Sequence, residues 1–224
     1  MLKPRLSTPW KKSRTYGDVY GGRKRRRMTD NIFARAHSLQ KPAPNQQLPI
    51  LIQDNPSKNF MFPVTVEEFA QALYGLPESH RSGITHIWLR RHPNHNRQGN
   101  SHLAEFICGS GVRVIVIYPW RIDGRLFMGR NKPSGTVISQ YLRFGATVLF
   151  EDGSWYIHLS ISELRKFYIE HIFCHEVGHH VDWYHRQWSK ANARKVEQYA
   201  DQYAVLWGAD ASAWQITPDK SEGV

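Results

Sequence analysis

Regular hydrophobic spacing starts late in this chain. Residues 1–28 are polar and glycine-containing, with no apolar period, which predicts a disordered arm with too little to bury. A short helix is predicted over 31–39, stopped by Lys41-Pro42-Ala43-Pro44, and Leu48 to Ile52 reads as a strand or an extended arm. Phe69, Ala72 and Leu73 then fall at helical spacing behind Thr65 and Glu68, a T-x-x-E capping box. This predicts a helix over 65–75, ended by Leu76-Pro77. Further on the period becomes that of strands. Ile84 to Arg90 and Val112 to Tyr118 are rich in β-branched and aromatic residues. Ala146 to Phe150 and Trp155 to Leu159 flank Glu151-Asp152-Gly153-Ser154, an Asp-Gly hairpin signal. The stretch 119–135, with Gly124, Gly129, Pro133 and Gly135, reads as a long loop or mobile ribbon.

Helical period returns after a second capping box, Ser160 with Glu163. Ile161, Leu164, Phe167 or Tyr168, Ile172, Val177 and Val181 form its stripe, more apolar than a surface helix needs, so this helix is expected to be central. A last helix is predicted over 189–207, with Val196, Tyr199, Ala200, Tyr203, Ala204 and Trp207 inward and Gly208 as its stop. These elements predict an α+β domain over 46–215, with an arm at 1–45 and a tail at 216–224.

Composition changes the picture mainly at the N-terminus. The 224 residues carry a formal charge of +11, 41% hydrophobic residues and eight Trp, values that suit one domain with a core. The charge is concentrated at 1–27, where Lys3, Arg5, Lys11, Lys12, Arg14, Arg23, Lys24, Arg25, Arg26 and Arg27 face only Asp18. Such a run attracts phosphate, so nucleic acid is an expected partner of the arm. Cys108 and Cys174 make no disulfide framework, and Met1-Leu2 leads into Lys3-Pro4-Arg5 rather than an apolar signal segment. No run is long and apolar enough to span a membrane. The expected location is cytoplasmic, with nuclear import through Arg23 to Arg27 as the alternative. No phosphate-binding glycine loop or G-x-S-x-G elbow is present, which removes the kinase, NTPase and serine-hydrolase classes.

The chemistry is concentrated at His175-Glu176-Val177-Gly178-His179, an HExxH motif within the predicted central helix. Residues i and i+4 share a helix face with Cβ atoms about 5–6 Å apart, so both imidazoles can reach one ion. Two His and a third ligand are the usual catalytic zinc set. Glu176, about 100° further round, falls beside the metal as a base for its water rather than as a ligand. The third ligand has two candidates, Glu197 and His185.

Glu197-Gln198-Tyr199-Ala200-Asp201-Gln202-Tyr203-Ala204 has the form E-x-x-A-D-x-x-A. With HExxH upstream, this resembles the gluzincin branch of zinc metallopeptidases over roughly residues 84–207. The resemblance implies a zincin-like fold: a small twisted mixed sheet, a central active-site helix and a second, ligand-bearing helix. It implies Glu197 as the third zinc ligand and Asp201 as the carboxylate orienting His175. It implies a peptidase in which Glu176 activates the zinc-bound water, and a polypeptide substrate lying along an edge strand, here Ala146 to Phe150. Tyr184, His185 and Tyr199 are candidates to stabilise the oxyanion.

His175, His179 and His185 instead have the H-x-x-x-H-x-x-x-x-x-H spacing of metzincins and of similar rRNA-maturation endoribonucleases. Those families turn at a Gly where this chain has Asp182, and no Met lies downstream of Met128 for a Met-turn. The alternative function is thus a basic nucleic-acid-binding protein or metal-dependent endoribonuclease with a His175/His179/His185 site. Cys108 as a ligand would resemble peptide deformylases, but Ile107-Cys108-Gly109-Ser110 matches that motif poorly. His171 and His180 extend the cluster as supporting or surface histidines, and Cys174 reads as a small buried helix residue.

Overall fold

The computed structural model describes residues 39–91, 103–109, 111–185 and 191–213, together with a short backbone pairing nearer the N-terminus. In that pairing β1 (Asp18–Val19) and β2 (Arg23–Lys24) run antiparallel, so the basic arm contains a fragment of hairpin. The rest of residues 1–38, which takes in the helix expected over 31–39 except its last residue, and the tail 216–224 lie outside the described residues.

Described elements are mixed α+β. They comprise β3 (Ile50–Gln53), β4 (Phe60–Met61), α1 (Val66–Tyr74), α2 (Glu78–Arg81), β5 (His86–Leu89), β6 (Ala104–Gly109) and β7 (Val112–Ile117). Next come β8 (Trp120–Arg121), β9 (Arg125–Gly129), α3 (Gly135–Leu142), β10 (Thr147–Glu151) and β11 (Ser154–His158). Finally α4 (Ile161–Phe167) runs through a π-helical stretch, Tyr168–Phe173, into α5 (Cys174–Trp183), and α6 (Ala193–Ser212) follows. Strands β3, β5 and β7 pair in parallel, and β6 closes the sheet antiparallel to β7 in the order β3-β5-β7-β6. A separate antiparallel sheet has the order β10-β11-β9, while β4 pairs β8.

Both capping boxes form as the sequence predicts. Thr65 and Glu68 close the N-terminus of α1, and Ser160 and Glu163 close that of α4, satisfying amides with no intrahelical partner. Glu68 also holds Arg165 of α4, which ties the two helix starts together. The 151–154 hairpin forms as well. Asp152 and Gly153 both have positive φ, 49° and 70°, the backbone that a two-residue hairpin loop needs.

Alternation along β7 sends Ile115 and Ile117 to one face and Val112, Val114 and Val116 to the other. The first face joins Phe69, Leu73, Phe167, Phe173 and Val177 in the main core. The second forms a smaller cluster with Ile107 and Tyr118. The central helix is therefore buried against both α1 and the sheet.

Three expectations change, and one strand was not expected at all. The 119–135 stretch is not a free loop: it carries β8 and β9, and β9 pairs with β11. Residues 104–109 form an edge strand although Glu105, Cys108 and Gly109 dilute its apolar pattern, because pairing with β7 supplies the ladder. The stripe of the central helix also shifts. Ile161 is 53% exposed, whereas Ile169, Phe173 and Cys174 are buried, since a π turn inserts an extra residue and rotates what precedes it. Gly208 does not end the last helix but lies inside it, at a contact where a Cβ would sit 2.5 Å from the Glu170 carbonyl oxygen.

Candidate metal centre

α5 places His175 and His179 one turn apart, with Nε2 atoms 3.0 Å from each other and rings nearly perpendicular at 85°. α6 crosses this helix at close range because Gly178 faces Ala200 and Tyr203. A Cβ on Gly178 would lie 2.9 Å from the Ala200 Cα and 2.9 Å from the Tyr203 Cβ. The crossing delivers Glu197, whose Oε2 is 3.4 Å from His175 Nε2 and 3.7 Å from His179 Nε2. One turn further along α6, Asp201 Oδ1 accepts the His175 Nδ1–H at 3.0 Å.

Among the described residues, His175, His179 and Glu197 form the group able to hold a metal, with one ligand atom each and all within 4.8 Å. Donors on a tetrahedral zinc, at bond lengths of about 2.0–2.2 Å, are separated by roughly 3.3 Å. The observed 3.0, 3.4 and 3.7 Å fit that shape, and two nitrogens with one oxygen leave a fourth position open.

His185 is not brought to this group. It is exposed, at the turn after α5, and its backbone N–H donates to the Asp182 carbonyl. Cys108 lies at the far end of β6 beside Arg113, and burial pushes its thiol above the usual range. Burial does the same to Cys174 more strongly, which fits an inert packing residue. Of the oxyanion candidates, Tyr184 is drawn away: Arg113 stacks over its ring at 4.3 Å and donates to its hydroxyl. Tyr199 lies against Tyr203, with ring centroids 6.5 Å apart. His180 is fully buried and donates Nε2–H to the Ser82 carbonyl at 3.0 Å.

Glu176 is only 6% exposed and lies on the β6 side of α5, within electrostatic reach of His175 and Glu197. Burial raises its carboxyl to about 7, against a lowering by His175 and a further rise from Glu197. The Phe106 backbone N–H donates to this carboxylate, so the strand beside the HExxH helix is β6. The expected substrate strand, Ala146 to Phe150, lies mostly in β10 of the other sheet. That contact was hidden in the sequence because β6 itself was.

In the histidine pair, burial opposes charge, but hydrogen bonds to Asp201 and Glu197 overcome it and hold His175 up to about 10. His179, buried beside that cation, is pushed down to about 4. One proton thus occupies the place of a cation among the donors. Its folded pKa lies above the ordinary 6.5, so its stabilisation is complete below about 6.5 and is lost as pH rises through about 10. A divalent ion entering at pH 7 must displace it, so binding is expected to release about one proton. Calorimetry in two buffers of different ionisation enthalpy measures this, and a release of zero contradicts the assignment.

Two further residues escaped the sequence reading. Arg143, following α3, donates Nη2–H to His171 Nδ1 at 2.9 Å, and Gly178 permits the helix crossing. No spacing rule links residue 143 to residue 171, whereas the glycine inside HExxH was a readable sign of close packing. Among the described residues no helix is long and apolar enough to cross a membrane. No protein-family model, curated protein or solved structure matches this chain.

Proposed function

We propose that this chain is a zinc-dependent metallopeptidase of gluzincin type with a zincin-like fold, and that His175, His179 and Glu197 hold the metal. The observation that carries the reading is the arrival of Glu197, from a helix separated in sequence, within 3.4 and 3.7 Å of the two Nε2 atoms. Bound zinc would act as a Lewis acid on a scissile carbonyl and lower the pKa of water to about 7.

The other roles belong to the chain. Glu176, poised near 7 by burial, takes the proton of the attacking water and passes it to the leaving amine. Asp201 keeps the His175 proton on Nδ1, which turns the Nε2 lone pair toward the metal position. The edge strand β6 gives an extended polypeptide a ladder beside Glu176, a role the sequence had assigned to Ala146 to Phe150. The endoribonuclease alternative required His185 in the cluster, and His185 lies outside it.

Metal analysis tests the ligand set. Glu197→Ala is expected to lose bound zinc after dialysis, and His185→Ala to retain it. Asp201→Asn is expected to weaken zinc by about 10–100-fold through the orientation of His175 alone. Retention in Glu197→Ala with loss in His185→Ala would reverse the assignment.

A further inference from the structure

Resting on the metallopeptidase reading, we propose that Arg143 and His171 form a subsite for a carboxylate of the substrate, one helical turn from the metal ligands. His171 precedes His175 by four residues on the same helix, and the two rings are 6.2 Å apart. Arg143 reaches it from the end of α3, with Nη2 2.9 Å from His171 Nδ1. Arg143 is an exposed residue, and its guanidinium lies over the Phe144 ring at 4.7 Å.

Hydrogen-bond chemistry then defines the pair. Arg can only donate, so His171 Nδ1 is the acceptor and its ring hydrogen sits on Nε2. The remaining guanidinium hydrogens and this Nε2–H meet no acceptor among the described residues. Two neighbouring groups that now offer only donors suit an anion, and a planar guanidinium suits a carboxylate.

Asp201 and Glu170 also lie within the electrostatic reach of Arg143, but among the described residues neither forms an ion pair with it. Their presence sets the rival role, in which Arg143 only offsets local negative charge. The carboxylate comes from a Glu or Asp side chain near the scissile bond or from the substrate's C-terminus.

The test uses the full chain loaded with cobalt, whose visible spectrum reports hydroxamate binding. Three probes are compared: acetohydroxamate, a short-chain hydroxamate ending in a carboxylate, and the methyl ester of that acid. The acid is expected to bind about tenfold tighter than its ester, as for a charge-assisted hydrogen bond. Arg143→Met is expected to abolish that preference, and Arg143→Lys, which still donates, to keep part of it. Equal binding of acid and ester, with acetohydroxamate bound, overturns the subsite and leaves the metal centre standing. If no hydroxamate binds, the metal reading and the subsite fall together. An amidated peptide with an internal Glu, compared with a neutral peptide bearing a free C-terminus, then tells the two carboxylate sources apart by which one is cleaved faster in wild type than in Arg143→Met.

Discussion

Glu176→Gln is expected to keep its full complement of metal and lose about 10²–10⁴-fold in peptide hydrolysis, the usual contribution of a positioned proton acceptor. The amide has nearly the shape of the carboxyl and still accepts the Phe106 N–H, so the local packing should survive. It cannot take a proton from water. Stability supplies the control. The Glu176 carboxyl is raised from 4.5 to about 7, so in the metal-free chain its stabilising effect is complete below about 4.5 and lost as pH rises through about 7. Glutamine removes that loss, and above pH 7 the metal-free variant is expected to melt no lower than wild type. Metal content, melting temperature and hydrolysis of labelled casein check the three parts. A variant as active as wild type, with metal bound, would end the proposed mechanism.

Gly208→Ala and Gly178→Ala are expected to damage fold and metal centre together. At Gly208 the new methyl meets the Glu170 carbonyl oxygen at 2.5 Å and its Cα at 3.1 Å. At Gly178 it meets the Ala200 Cα and the Tyr203 Cβ, both at 2.9 Å. Mostly backbone lies in the way, so relief comes by moving α6 off the central helix. Overpacking of this kind costs about 1–3 kcal/mol. In a domain of this size each kcal/mol lowers Tm by roughly 2–4 °C. The same displacement withdraws Glu197 and Asp201, so zinc affinity should drop by at least about tenfold, as when a ligand's support is lost. Gly135→Ala is the reference. Nothing lies within 4 Å of its Cβ position, in the first turn of α3, so it should be neutral or slightly stabilising. If Gly208→Ala and Gly178→Ala behave like Gly135→Ala, the close crossing does not set the site.

The parts of the fold legible in the sequence are those written in local chemistry. Thr65 with Glu68 and Ser160 with Glu163 mark helix starts because each pair satisfies amides within one turn. Asp152-Gly153 marks its hairpin because both residues tolerate positive φ. β6 and β9 were less legible, since their own patterns are weak and their partners, β7 and β11, provide the pairing. Gly208 misled for a related reason: a glycine near a helix end reads as a stop, and only the position of Glu170 shows that it is a contact.

The candidate site divides along the same line. His175, Glu176 and His179 could be read because a helix fixes their relation over a single turn, without reference to the rest of the chain. Whether Glu197 or His185 joins them is decided between helices, by a close approach at Gly178 that no local period encodes. The donation from Arg143 to His171 and that from Phe106 to Glu176 are likewise long-range. Sequence alone specified the motif, its helix and the two imidazoles that share one helix face. Tertiary packing decided that Glu197 rather than His185 meets the imidazoles and that β6 lies beside Glu176, because those distances depend on how separate elements pack against one core.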